Sequence, residues 1–141
     1  MRILLPVDGS DYTKRMLGFV AAHDELFGAS NNEFTVVTVV APIPAHASRF
    51  LDKGVLDSYY AEQGEAVLAP VRKFAAQHGW NASMVYVHGP AAEEIATLAN
   101  ETRADLIVMG SHGHSALGNV VLGSVANGVL ARCNAPVLLV R

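Results

Sequence analysis

Five short apolar runs, at residues 3–7, 34–40, 82–87, 106–109 and 137–140, recur along the chain, and a segment with helical periodicity lies between each pair. That alternation limits the fold more than any other feature. A β-α-β-α-β-α-β-α-β order argues for an α/β fold built on one doubly wound parallel sheet. Residues 34–40 are rich in β-branched side chains. Residues 106–109 are apolar without alternation, as a strand covered on both faces should be. There is no internal repeat, and 141 residues suffice for one domain with a proper core, so residues 1–141 are expected to fold as a single domain.

The connecting segments carry start and stop signals. Asp8-Gly9-Ser10-Asp11 reads as a turn into a helix that Ser10 or Asp11 can cap. Met16, Val20, His23 and Phe27 form one stripe, with Leu17 beside it, and Gly28 ends the helix. Pro42 and Pro44 close the second strand, and residues 41–49 read as a loop. A long helix is expected over residues 51–78, buried through Leu56, Tyr60, Val67, Val71, Phe74 and Ala75. Pro70 either kinks it or begins a second helix. Pro90 suits a helix start, Glu93 and Glu94 its positive end, and Ile95, Leu98 and Ala99 its apolar stripe.

Composition excludes several functions. The formal net charge of −3 and the lack of any Lys/Arg cluster leave no footprint for nucleic acid or a membrane surface. Cys133 is the only cysteine, so no intramolecular disulfide can form. Residues 2–7 are too short for a signal-peptide core, and no apolar run reaches membrane-spanning length, so a cytoplasmic protein is expected. The chain lacks G-x4-G-K-[ST], a G-x-G-x-x-G after the first strand, and G-x-S-x-G. No positioned general base or arginine finger is recognisable, so ligand binding with slow or no hydrolysis is the expectation.

The stretch 105–132 carries the chemistry. A buried strand ends at Gly110. Gly113, Gly118 and Gly123 punctuate a loop, and a helix begins at Ser124. Glycine lets backbone approach a ligand, and a helix N-terminus offers unpaired N–H groups at its positive end. The pattern fits a phosphate cradle. It fits equally a crossover loop with no ligand, and on the glycines alone the two readings stand level. Asp8 is read as a turn residue or as a carboxylate facing ribose or a phosphate-bound metal. Val39, Val40 and Met109 read as core. His112 and His114 read as loop residues, or less readily as a metal pair joined by His88 or His46, although no Cys or carboxylate cluster completes such a set.

Gly110, two residues, Gly113, nine residues, then Gly123-Ser124 reproduces the G-x2-G-x9-G-[S/T] motif of ATP-binding universal stress proteins. The flanks VMGSHG and GSVANGVLARCNAPVLLV, and the opening ILLPVDGS, resemble that family too, and the likeness spans residues 1–141 with a weaker patch over 42–57. It implies sheet order 3-2-1-4-5 and ATP or another adenine nucleotide as ligand, with Mg2+ accompanying the phosphates and met indirectly by Asp8. It implies contacts from Pro6, Val7 and Asp8, base recognition by the main chain of Val39 or Val40, of which Val39 is taken here, and Met109 against the purine. Gly110, His112, Gly113, His114, Gly123, Ser124 and Val125 fall on the phosphate side. It also implies a homodimer through residues 137–140 and a stress-responsive regulatory or protective role. A nucleotide-independent dimeric interaction module and a nucleotide-hydrolysing enzyme are the alternatives. Two positions depart from the pattern. Ala126 stands where some relatives carry a hydroxyl, worth about 1 kcal/mol net. His114 stands where relatives often carry Arg or Lys, and no Lys or Arg occurs between Ala104 and Ala131.

Because histidine is the side chain whose ordinary titration lies near physiological pH, Mg-ATP affinity is expected to be modest and to strengthen from about pH 8 to about pH 6. Titrations across that range check this, and a flat Kd refutes it.

Overall fold

The structure is a computed structural model and describes residues 1–114 and 121–141. Gly118 lies outside the described residues. The elements follow as β1 (Arg2–Pro6), α1 (Asp11–Ala22), α2 (Asp24–Phe27), β2 (Glu33–Val40), α3 (Ala45–Ser48), α4 (Lys53–Gln77), β3 (Ala82–His88), α5 (Ala91–Glu101), β4 (Leu106–Gly110), α6 (Ser124–Arg132) and β5 (Val137–Val140). The strands pair in parallel as β3-β2-β1-β4-β5. The expected α/β sheet and its order are therefore present.

Each face of the sheet has its own apolar layer, because successive strand side chains point to opposite sides. Ile3, Leu5 and Val7 join Met16, Val20, Phe34, Leu68 and Val71 beneath α1 and α4. Leu4 joins Val37, Ile95, Ile107, Met109 and Val129 beneath α5 and α6. Leu4, Leu5, Val36, Val37, Ile107 and Val108 are completely buried, which explains their unbroken apolar sequence.

Four details differ from the sequence reading. The first helix does not run on to Gly28. It stops at His23, whose Nδ1–H donates to the Phe19 carbonyl at 2.8 Å and whose ring stacks on Phe19, and the separate turn α2 brings Phe27 into the core. Ser10 occupies the N-cap position, but its hydroxyl makes no cap bond. The segment 41–49 is not all loop, since α3 forms within it. Finally, of the two readings of Pro70 the second helix is excluded, because α4 is one helix across it. Pro70 and Ala66 lie on its exposed face, where water can satisfy the carbonyl that a missing N–H leaves free.

The buried stripe of α4 is Tyr60, Gly64, Leu68, Val71 and Ala75, so periodicity found the face but missed Leu68 and Gly64. Gly64 is where α4 meets β3. A Cβ there would lie 2.6 Å from Tyr86 Cβ and 2.7 Å from its Cγ, atoms too close to the backbone to swing away. Overpacking of this kind costs about 1–3 kcal/mol. Gly64→Val is expected to lower stability by about that amount despite removing a glycine from a helix, as read by urea denaturation.

Candidate functional site

The hydrogen-bond pattern of the parallel sheet leaves a gap above its central strand. Val7 N–H donates to the Val37 carbonyl at 2.8 Å, so Val37 faces β1. Gly89 N–H donates to the Val40 carbonyl at 3.2 Å, so Val40 faces β3. Alternation then turns the Val39 N–H and C=O toward β1, which has already ended at Pro6, and among the described residues they have no ladder partner. On the other side, Ile107 N–H donates to the Pro136 carbonyl and Ser111 N–H to the Val140 carbonyl, so Gly110 faces the same gap from β4. A cleft therefore opens at the carboxyl ends of the strands, where strand order reverses.

Asp8 stands at its floor. One carboxylate oxygen, Oδ1, accepts from Ser10 N–H at 2.9 Å and from Thr13 Oγ1 at 2.9 Å, while Asp8 N–H donates to Thr13 Oγ1 at 3.0 Å. The turn reading and the site reading of Asp8 are thus compatible, because Oδ1 serves the turn and Oδ2 faces the glycine loop. A Cβ on Gly113 would lie 2.5 Å from Asp8 Oδ2. His114 closes the same corner from outside: its Nε2–H donates to the Asp8 carbonyl oxygen at 2.6 Å. A carbonyl only accepts, so this contact assigns the proton to Nε2.

The other motif glycines are set by packing as well. At Gly110 a Cβ would meet Tyr12 Cβ at 2.7 Å, and at Gly123 it would meet His112 Cα and the Ser111 carbonyl oxygen at 3.0 Å. Gly123 N–H donates to the Ser111 carbonyl at 2.8 Å, which ties the start of α6 to the end of β4. The N–H groups of Ser124, Val125 and Ala126, in the first turn of α6, have no intrahelical acceptor. Ser111 is buried, and its Oγ shares a 2.9 Å hydrogen bond with His112 Nδ1.

The cleft has a volume of about 600 Å³. All twelve residues singled out from the sequence line it: Pro6, Val7, Asp8, Val39, Met109, Gly110, His112, Gly113, His114, Gly123, Ser124 and Val125. So do Thr13, Val37, Ala91, Ile95 and Ala126. Thr13 was legible as the third residue of α1 behind an Asp turn. Ala91 and Ile95 carried no signal, because they reach the cleft only through the packing of α5. Ala126, the position without a hydroxyl, is buried in the lower apolar layer. Neither Lys nor Arg is in the lining. Among the described residues no three His, Cys, Asp or Glu side chains are grouped to hold a metal. His88, one of the residues considered for a metal set, stacks on Tyr60 at 4.2 Å between ring centroids.

The model of the universal stress protein family matches residues 1–141. Universal stress protein MJ0531 of Methanocaldococcus jannaschii is 33% identical over 142 residues, covering 99% of this chain and 81% of the relative. Among solved structures, hypothetical protein MJ0577 superposes with a TM-score of 0.83 at 28% identity, covering 99% of this chain and 94% of that one. A universal stress protein in complex with cAMP superposes with a TM-score of 0.65 at 26% identity, covering 100% and 96%.

Asp8 also sets how the cleft responds to acid. Burial alone would raise its carboxyl, but the Ser10 hydroxyl dipole and N–H, the Thr13 hydroxyl and the nearby His114 ring together hold it below its ordinary value. The Ser10 hydroxyl contributes by proximity, since it is buried without a hydrogen bond of its own. A carboxyl that is more acidic folded than unfolded stabilises the fold fully above the unfolded value of about 4, and this is lost as pH falls through the folded value. Asp8→Ala is therefore expected to be less stable than the parent near neutral pH, with the gap closing below about pH 4 in denaturant titrations.

Proposed function

The chain belongs to the universal stress protein family, and on that premise we propose that it binds ATP or a related adenine nucleotide, with slow or no hydrolysis, as a stress-responsive regulatory or protective module. The observation that carries this reading is the N–H and C=O of Val39, which have no ladder partner among the described residues and face a cleft whose other end is the first turn of α6. Adenine presents an amino donor beside a ring-nitrogen acceptor, a pair that one backbone C=O and N–H can meet. The apolar Val39, Ile95 and Met109 suit the purine faces, Met109 through its polarisable thioether. Phosphates suit the first-turn N–H groups of α6. A relative in complex with cAMP supports the same ligand class.

Mg2+ fits as a companion of the phosphates rather than as a resident ion. Asp8 offers the cleft one ionised oxygen, Oδ2, and among the described residues no metal-holding cluster stands near it. When bound, the ion would neutralise phosphate charge that no Lys or Arg of the lining meets. The proposal includes one domain over residues 1–141, a cytoplasmic location, no nucleic-acid or membrane partner, and a homodimer. Among the described residues no helix is long and apolar enough to cross a membrane. The dimer would form by antiparallel pairing of β5 with a second copy. β5 is an edge strand whose four apolar residues are all partly exposed, the sort of edge that invites pairing.

A second reading, an interaction module without nucleotide, is favoured by one finding. Gly110, Gly113 and Gly123 are each required by packing within the chain, so the motif can persist for architecture alone.

Calorimetric titration of metal-free protein with ATP, with and without Mg2+, separates the two. Micromolar binding that needs Mg2+ and vanishes in Gly113→Val, where the new side chain displaces the Asp8 carboxylate, is the expected outcome. No binding in either condition hands the site to the second reading.

A further inference from the structure

Among the described residues the cleft has phosphate-facing backbone but no cation in its lining, and α1 carries one beside it. Tyr12 packs against β4 so closely that a Cβ on Gly110 would touch its Cβ at 2.7 Å. Its ring lies 5.1 Å from the ring of His112, a cleft residue. Over the Tyr12 ring, again at 5.1 Å, lies the guanidinium carbon of Arg15. Helical side chains lean toward the N-terminus of their helix, and the N-terminus of α1 sits at the cleft end of the sheet. Arg15 therefore reaches back toward the cleft from one turn further along. Among the described residues it has no carboxylate partner, and its neighbour Lys14 is engaged with Asp11 at 3.6 Å. The aromatic ring restrains the guanidinium while leaving its N–H donors open.

We propose that Arg15, held on the Tyr12 ring beside His112, supplies the cation that the glycine loop lacks and thereby selects nucleotides with more than one phosphate. The inference rests on the nucleotide-binding reading above and names the residue that sets phosphate number within it. A monophosphate is met by the first turn of α6 and needs no more. Each further phosphate adds negative charge above Asp8, an unfavourable arrangement unless a positive group approaches. A guanidinium is suited to this because it meets phosphate oxygens with two parallel N–H bonds.

The test measures AMP, ADP and ATP binding, each with Mg2+, to the parent, Arg15→Ala and Lys14→Ala. In Arg15→Ala the ATP affinity is expected to fall about tenfold, the scale of one charge-assisted hydrogen bond. AMP affinity should hold, which also shows that the variant is folded. Lys14→Ala should leave the ATP-to-AMP ratio unchanged, and the effect of Arg15 should shrink at high salt. An unchanged ratio in Arg15→Ala, or an equal drop in Lys14→Ala, overturns the proposal while nucleotide binding stands. A parent protein that binds none of the three overturns the nucleotide reading itself, and this inference with it.

Discussion

The Asp8 carboxylate is the joint on which the upper end of the molecule depends. One oxygen holds the turn between β1 and α1 through Ser10 and Thr13, and the other rests against the Cα of Gly113. The backbone carbonyl of the same residue receives His114. Two segments distant in sequence, the β1–α1 turn and the loop at residues 113–114, are thereby joined by one side chain and its peptide. Oδ1 spends its acceptor capacity on the turn, and the ionised carboxylate leaves Oδ2 to the cleft. A larger residue at the second motif glycine would have to displace that carboxylate oxygen.

This changes what the glycine motif means. A glycine pattern is usually read as room for a ligand, yet here each described motif glycine is demanded by another part of the chain: Tyr12, Asp8, or Ser111 and His112. The motif specifies how a loop returns to start α6 against the end of β4. Its capacity for anions is a consequence, because that return aims the first turn of α6 into the cleft. The stronger pointer to a ligand lies elsewhere, in Val39, whose peptide groups are left over when β1 ends earlier than its neighbours. Unpaired backbone facing a cleft is otherwise costly, and a ligand can relieve it.

Much of the fold was legible because its signals are local. Strands buried on both faces must be apolar throughout, and this located β4. α6 began where Gly123-Ser124 ended the loop. What escaped was decided by tertiary contact. The break at His23 comes from its ring turning back on Phe19, and the continuity of α4 comes from Pro70 facing water. Leu68 and Gly64 share the helical stripe of Tyr60, Val71 and Ala75, so their burial was open to periodicity, while the close approach of Gly64 to Tyr86 is a tertiary contact. In the cleft, the choice between Val39 and Val40 rested on resemblance alone. The bonds of Val7 and Gly89 show that the Val40 peptide faces β3 while that of Val39 faces the cleft.

The electrostatics of the cleft make its ligand chemistry a balance between main chain and side chain. The favourable part for an anion is fixed partial charge, carried by peptide groups at the start of α6 and insensitive to pH. The unfavourable part is a full negative charge at Asp8, also fixed through the neutral range because hydrogen bonds hold its carboxyl down. Two features can tip this balance: the histidines at 112 and 114, and cations brought from outside the lining. His114 already spends its Nε2–H on the Asp8 carbonyl, so it acts first as a clasp on the loop and only secondarily as a charge. Within the proposed nucleotide reading, discrimination among anionic ligands falls to groups at the rim, while the floor of the cleft would read the parts that all adenine nucleotides share.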